Sequence, residues 1–516
     1  MRRKNIVLIR NAMVHPYLNV CINVCCHFLD WEKHVLHSTL LACLLLSAAT
    51  LISGCAMTQD YQRPQVDIPN TWRIDYETAS NLADTVWWEN FQDPGLNELI
   101  KIALNENKDL RIATARIEAF AGRIQKVQSG FYPQLNYGVS TSRERQSLER
   151  MTTAIAQGRN RSDSTYQGIL NVNWELDIWG RLQRATEAAR ADLLSAEEGR
   201  QAVILTLVSN IAIGYFNLLS LDKQLEISKR TLTSRLDWLE LFEKKIKGGQ
   251  ISNLEFAQVK SAYGQAATYI PILERQISLQ ENSLSVLLGR SPGDIKRSKA
   301  MELEVIPRVP QGVPSDLLQR RPDIRQCEQN LIAANARAGI AQTQYLPSIS
   351  LTGLFGFASA SLSDLLQKSA NLWQAGVRTI GPIYEGGRHK GEIRQAEAEK
   401  QQSLNEYLKT IQVALREVND ALISIKKFRE LIEIETFYLN GLEDYVRFSH
   451  DRYDAGFSTY LTIMDSEREL YEAEIRRVQT QKDILEAIVG GYKATGGGWE
   501  AKTNSVDDGL SLTTEN

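Results

Sequence analysis

Across 516 residues the chain holds only six histidines and six cysteines, which leaves little material for metal or nucleophile chemistry. It contains no His-Glu-x-x-His, no Gly-x-Ser-x-Gly and no Gly-Lys-Ser/Thr loop. The usual signatures of zinc hydrolysis, serine acyl transfer and phosphate cradling are therefore missing, and no enzyme and no cofactor is expected. Neither sign of charge is in excess: the formal charge is -3, and no concentrated basic face argues for nucleic acid. Long apolar runs are scarce as well. The longest, residues 39–52, is shorter than the ~20 residues of a spanning helix, and the mean hydropathy is negative, which excludes a polytopic helical membrane protein. Only six methionines occur, with no His/Met cluster at four-residue helical spacing to suggest a copper route. Proline is absent from 181–247 and from 388–455, so nothing in those stretches must break a helix.

The N-terminus reads as an address. The apolar run 39–52 follows Lys33 and ends in Ile52-Ser53-Gly54-Cys55, the layout of a secretory signal with small residues before the cut. Ile-Ser-Gly-Cys resembles a bacterial lipobox, which implies cleavage after residue 54 and diacylglycerol plus N-acyl groups on Cys55. Ala56 after the cysteine fits outer-membrane sorting. Residues 1–54 exceed the usual ~15–30 of a signal, and a start assigned too early is the expected reason. The cluster Cys21, Cys25, Cys26, His27 has metal-like spacing but lies in that excess. Cleavage leaves two cysteines, Cys55 and Cys327, and two histidines, His389 and His450, so no intrachain disulfide is expected once Cys55 is acylated.

The remainder is one pattern written twice. Phe131-Tyr-Pro-Gln-Leu-Asn136 recurs as Tyr345-Leu-Pro-Ser-Ile-Ser350. Asp177-Ile-Trp-Gly-Arg181 recurs loosely as Tyr384-Glu-Gly-Gly-Arg388, and Gly249 with Leu254 recurs as Gly456 with Leu461. Each half reads helix, two strands, very long helix, turn, returning helix. Leu170, Val172, Trp174, Leu176 and Ile178 alternate with Asn171, Asn173, Glu175 and Asp177, the period of a strand with one apolar and one polar face. Ile349, Leu351, Phe355 and Phe357 alternate more weakly with Ser348, Ser350 and Thr352. Such faces suit a half-solvated sheet, or a barrel with lipid outside and water inside. Residues 143–164 and 358–370 are the expected loops of the two strand hairpins.

From Leu207 a 4-3 spacing runs to Ile246, broken only at Gly214, Ser228 and Arg235; Leu404 to Ile425 repeats it. That is a coiled-coil seam. Residues 181–247 give roughly 100 Å of helix at ~1.5 Å per residue. The return, 253–288, covers about half, so 95–129 is expected to stack on it end to end, as 315–344 on 460–494. Four strands cannot close a spanning barrel, since the smallest have ~8. Closure therefore needs an oligomer, and two copies or three would both close one.

Trp87-Trp-Glu-Asn-Phe-Gln-Asp-Pro-Gly95, Leu287-Leu-Gly-Arg-Ser-Pro292, Gly312-Val-Pro-Ser-Asp-Leu-Leu-Gln-Arg-Arg-Pro-Asp-Ile324 and the stretch 456–470 carry a family likeness. With them the chain resembles the TolC-like outer-membrane factors, and within these the lipoprotein branch that serves multidrug efflux pumps, from about Trp87 to Thr495. The resemblance implies a mainly α fold with a β-barrel part. A homotrimer would form a twelve-stranded barrel in the outer membrane and a tunnel of duplicated helical hairpins in the periplasm. On this reading 1–54 is the signal and 55–94 a lipidated extended segment. Repeat one is 95–314, with its strand hairpin at about 131–180 and its helical hairpin at about 181–288. Repeat two is 315–495, with hairpins at about 345–385 and 388–494, and 496–516 is a flexible tail.

The implied function is a passive exit duct for drugs or other small molecules, with a periplasmic adaptor and an inner-membrane transporter of the resistance-nodulation-division type as partners. Type I protein secretion, metal-ion efflux and a non-conducting envelope lipoprotein are the alternatives. Gly249 and Gly456 suit turns at positive φ. Leu461, Asp465 and Arg468 share one helix face. The resemblance places them at the pore mouth, Leu461 as an apolar constriction and Asp465 as a carboxylate ring that Arg468 offsets. It also places Glu255 and Tyr453 where the hairpins are tied in the closed state, with Ser458 where some members carry a basic residue. The adaptor would pull these turns apart. Pro322 and Asp323 read as helix-start chemistry, so the Arg320-Arg321-Pro322-Asp323 motif reads as a structural joint.

Overall fold

The computed structural model describes residues 60–66, 86–145, 162–297 and 317–497. The expected signal, Cys55, the 21–27 cluster, the tip of the first strand hairpin and all but the first two residues of the tail lie outside the described residues. In chain order the elements are α1 (Pro94–Glu106), α2 (Lys108–Gln128), β1 (Gln134–Arg145), β2 (Ser162–Leu176), α3 (Arg181–Lys247), α4 (Asn253–Leu287), α5 (Pro322–Thr343), β3 (Ser348–Ser359), β4 (Asn371–Ile380), α6 (Arg388–Asp454) and α7 (Tyr460–Ala494). A 3-10 turn, Trp87–Phe91, precedes α1, and one helical turn, Leu317–Arg320, precedes α5.

The two halves match closely. α3 and α6 are both 67 residues long, and α4 and α7 both 35. Each long helix ends in the same C-cap. Gly249 N–H donates to the Ile246 carbonyl and Gln250 N–H to that of Lys245; Gly456 donates to Tyr453 and Phe457 to Arg452. The pattern needs a left-handed residue, which Gly249 (φ 67°) and Gly456 (φ 77°) supply.

The coiled-coil spacing of α3 is its packing face, and each polar break has a partner. A Cβ at Gly214 would come within 2.8 Å of the Leu284 side chain, so glycine lets α4 approach. Ser228 Oγ lies 3.0 Å from Tyr471 Oη, and Arg235 pairs with Glu467 at 2.8 Å. The middle of α3 has the composition of a membrane span, yet that stretch is mostly buried against α1, α4 and α7.

Three expectations need correction. Residues 95–129 are not one helix. Asn107 breaks it: its side chain accepts from Leu110 N–H at 2.9 Å and donates to the Leu287 carbonyl at 2.8 Å. Only α2 therefore continues α4 end to end, while α1 turns aside and buries Leu96, Leu99 and Ile100 against α3. Strand β2 stops at Leu176, so Ile178 and Asp177 leave the alternating pattern. Asp177 instead accepts from Leu182 and Gln183 N–H at 2.9 and 2.8 Å and caps α3. The loop expected at 143–164 is also shorter than that, because strand pairing extends to Arg145 and Ser162.

The second joint has the same logic as the first. Arg321 donates to the Ala494 carbonyl at the end of α7 (3.0 Å) while pairing with Asp323 (2.7 Å) and Glu417 (2.8 Å). Burial opposes the Arg321 charge, and the two carboxylates outweigh it, so its pKa stands above the ordinary value. The Arg-Arg-Pro-Asp motif thus joins the C-terminus of α7 to the N-terminus of α5.

The sheet is antiparallel in the order β1-β2-β3-β4. Its register aligns Tyr137, Leu170, Phe355 and Trp373 in one cross-strand row, with Leu135 and Val172 paired in the next on the same face. The other face carries Gln134, Asn173 and Thr352, and further along Glu175, Ser350 and Arg378. Tyr137, Leu170, Phe355 and Trp373 are 83%, 45%, 48% and 75% exposed, an apolar face with nothing packed over it among the described residues.

Candidate functional site

Three levels of the molecule share one arrangement. At the sheet the row is β1-β2-β3-β4. Beside it the helices pack as α2-α3-α5-α6, and beyond the joints as α4-α3-α7-α6. Every row is four elements wide, and its two end members lack a neighbour on their outer side among the described residues. A sheet edge in lipid would leave its N–H and C=O groups unsatisfied, so an open row of this kind is an incomplete structure.

The far end, at the helical hairpin turns, carries the residues singled out from sequence. In the first turn Ser252 and Glu255 form a reciprocal capping box, with Ser252 N–H donating to the Glu255 carboxylate at 2.8 Å and Glu255 N–H to Ser252 Oγ at 3.2 Å. The Ser252 backbone and then its hydroxyl hold the Glu255 carboxyl below its ordinary pKa. Within one chain Glu255 thus serves its own helix. Tyr453 reaches across instead: Lys245 Nζ donates to its hydroxyl at 3.2 Å and lies 5.3 Å from its ring centre.

The second turn has no side-chain cap at Thr459. Leu461 is 45% exposed, in a helix whose neighbours Tyr460 and Ile463 are buried. One turn on, Asp465 and Arg468 form an exposed ion pair at 3.4 Å. Both line a cleft of ≈ 210 Å³ between α3, α4 and α7, with Tyr269 and Tyr471 along its wall. Ser458, the expected departure from a basic residue, has a buried hydroxyl with no hydrogen-bond partner among the described residues.

Sequence reasoning missed the clasp behind this turn. Trp238 of α3 lies 5.6 Å from Tyr453 and 5.2 Å from Tyr460, ring to ring, and Phe242 lies 4.8 Å from Tyr460. Beside them Glu467 accepts from Arg235 at 2.8 Å and lies 2.9 Å from His450 Nε2. Burial pushes the Tyr460 phenol up, against the pull of Arg235. The clasp joins repeat one to repeat two inside a single chain. Its only sequence trace was Arg235, a charge standing in an apolar seam.

At the end of the helices nearest the sheet, residues 60–66 lie against α3 and α5. Asp60 accepts from Arg184 at 2.7 Å, Arg63 pairs with Glu328, and Tyr61 donates to Glu328 at 3.3 Å. Arg184 sits in the first turn of α3, directly after β2.

A sequence profile described as the outer membrane efflux protein family matches residues 99–290 and 313–497. Curated relatives include the toluene efflux pump outer membrane protein TtgF of Pseudomonas putida, 32% identical over 469 residues, covering 89% of this chain and 97% of the relative. The cation efflux system protein CusC of Escherichia coli is 31% identical over 462 residues, covering 88% and 97%. A crystal structure of CusC superposes with a TM-score of 0.76 at 30% identity, over 86% of this chain and all of that one.

Proposed function

The chain belongs to the outer membrane efflux protein family, and from that premise we propose that three copies close into one cylinder gated at the second hairpin turn. The protein is the outer-membrane exit duct of a tripartite efflux system, with its strands in the outer membrane and its helices in a periplasmic tunnel. The observation that carries the trimer is the open row repeated at all three levels. Three copies give twelve strands and twelve helices at each tunnel level, enough for a water-filled lumen lined by the Asn, Gln, Ser and Thr face of the sheet. The apolar row Tyr137, Leu170, Phe355 and Trp373 then meets lipid.

At the tips, Leu461 would supply the apolar constriction, and three Asp465 carboxylates a ring whose mutual repulsion Arg468 relieves. An uncapped second turn suits a moving part. The adaptor opens the tube by drawing these turns apart, and the inner-membrane transporter is of the resistance-nodulation-division type. Cargo passes without chemistry: drugs or apolar solvents, in keeping with the TtgF-like relatives and with the lack of His/Met clusters.

Cys55 carries the lipid on this reading, and chain reach supports it. Asp60 is the fifth residue after Cys55, a reach of at most about 18 Å. Asp60 is tied to the first turn of α3, where helix meets sheet, so Cys55 has the reach to set an acyl chain in the membrane.

Planar-bilayer recordings test the gate. The Leu461→Ala, Asp465→Ala channel should conduct several-fold more than wild type without adaptor. An unchanged conductance removes these residues from the gate.

A further inference from the structure

The cleft behind the second hairpin turn is built by three helices, each of which turns one stripe toward it. Ser228, Thr231 and Arg235 of α3 are spaced by three and four, as are Gln258, Ser261, Gln265 and Tyr269 of α4. On α7 the stripe is Asp465, Arg468 and Glu472, and Leu461 precedes it by four residues. The cleft therefore opens on the same side as the residues of the proposed gate. The inference rests on that reading: if Leu461 faces the lumen, the cleft does too, just above the constriction. It lies within a single chain, so a trimer holds three.

Its lining selects a ligand. Small side chains at Ser261, Ala262 and Ala266 open the space of ≈ 210 Å³. Tyr269 and Tyr471 stand 5.4 Å apart, ring to ring, tilted by 33°, which is too close to admit a ligand between them, so they make one aromatic wall. Ser228 Oγ, 3.0 Å from Tyr471 Oη, fixes that wall. Around it the side chains of Thr231, Gln258, Ser261 and Gln265 have no hydrogen-bond partner among the described residues. A cavity of ~150 Å³ takes a benzene, so this one takes a single aromatic ring with a compact polar head.

Charge decides what that head is. Arg235 is taken by Glu467 at 2.8 Å and Arg468 by Asp465 at 3.4 Å, whereas Glu472 has no ion pair among the described residues. Two guanidinium groups against three carboxylates leave one negative charge beside electron-rich rings. A cation within about 6 Å of a tyrosine face is attracted by its quadrupole. We propose that the cleft binds small aromatic ammonium cations and gives cationic cargo a resting place inside the tunnel, immediately behind the gate. The ammonium group lies by Glu472 and the tyrosine wall, and the free amides and hydroxyls take polar substituents.

The probe is phenyltrimethylammonium, titrated calorimetrically into the full-length channel in detergent. One saturable site per chain is expected. Glu472→Gln should weaken binding about five-fold and Tyr269→Leu by about the same factor, while Tyr269→Phe, which keeps the ring, should bind as wild type does. tert-Butylbenzene, the uncharged molecule of the same shape, should bind about ten-fold less tightly. No saturable binding overturns the site. Equal affinity for the uncharged analogue overturns the cationic class. Binding that ignores Glu472→Gln and Tyr269→Leu but vanishes in Asp465→Ala puts the cation at the proposed carboxylate ring and overturns the cleft.

The direction in which the cleft opens has its own test. Ser261→Cys in a Cys327→Ser background, labelled with a bulky thiol reagent, should abolish binding and also lower the conductance of the Leu461→Ala, Asp465→Ala channel. Binding lost at unchanged conductance overturns the link to cargo. If the Leu461→Ala, Asp465→Ala channel conducts no more than wild type, the gate assignment fails while calorimetric binding persists, so the two failures read differently.

Discussion

The two hairpin turns stand at equivalent places in the two repeats and share one C-cap geometry, yet they are held by different means. The first is secured locally, by Ser252 and Glu255 within four residues. The second has no cap of its own, exposes Phe457 and Leu461, and is held by contacts more than 200 residues distant in the chain, from Trp238, Phe242 and Arg235. A locally capped turn keeps its shape whatever its surroundings do. A turn held from outside takes its position from its neighbours, and that suits a gate.

Each prediction tests this contrast by loosening one turn more than the other. The largest effect is expected from Phe242→Ala. Phe242 is 1% exposed, and its loss should cost about 3–5 kcal/mol of local stability. Phe242 also packs with Val259 beside the first turn, so amide exchange should accelerate at both turns but more at 453–465, because the capping box still holds 252–255; equal acceleration at both would erase the distinction. Glu467→Gln comes next. It leaves the buried Arg235 guanidinium without its countercharge, at a cost of about 1.5–3 kcal/mol, again read as exchange at the second turn. Ser252→Ala should cost about 1 kcal/mol and act only on the first turn. The smallest effect is on acidification. Glu255 has a lowered pKa in the fold, so its contribution is complete above the ordinary carboxylate range and fades as pH falls through the lowered value. The Ser252 amide should lose protection there.

Much of the architecture was legible because its signals are long. Absent prolines and a heptad running from Leu207 to Ile246 specify a helix that no local preference could overturn, and α3 ends at Lys247 because Gly248 and Gly249 follow. Even the flaws in the heptad were informative, since Gly214, Ser228 and Arg235 each meet a specific partner. The break at Asn107 was not legible. Leu104-Asn-Glu-Asn-Lys108 reads as ordinary helix, and the carbonyl that its side chain binds belongs to Leu287. Asp177 continued the alternation of β2 perfectly well; only the start of α3 gave it another use. At the candidate gate, Gly249 and Gly456 were readable because a positive φ demands glycine. The Trp238 clasp was not, because its halves lie on different repeats.

The proposed trimer makes one chain a third of a wall. The most direct measurement is the native mass of the detergent-solubilised particle. Three chains per particle, from a sample that forms channels, is the predicted result. A conducting particle of one or two chains would contradict it.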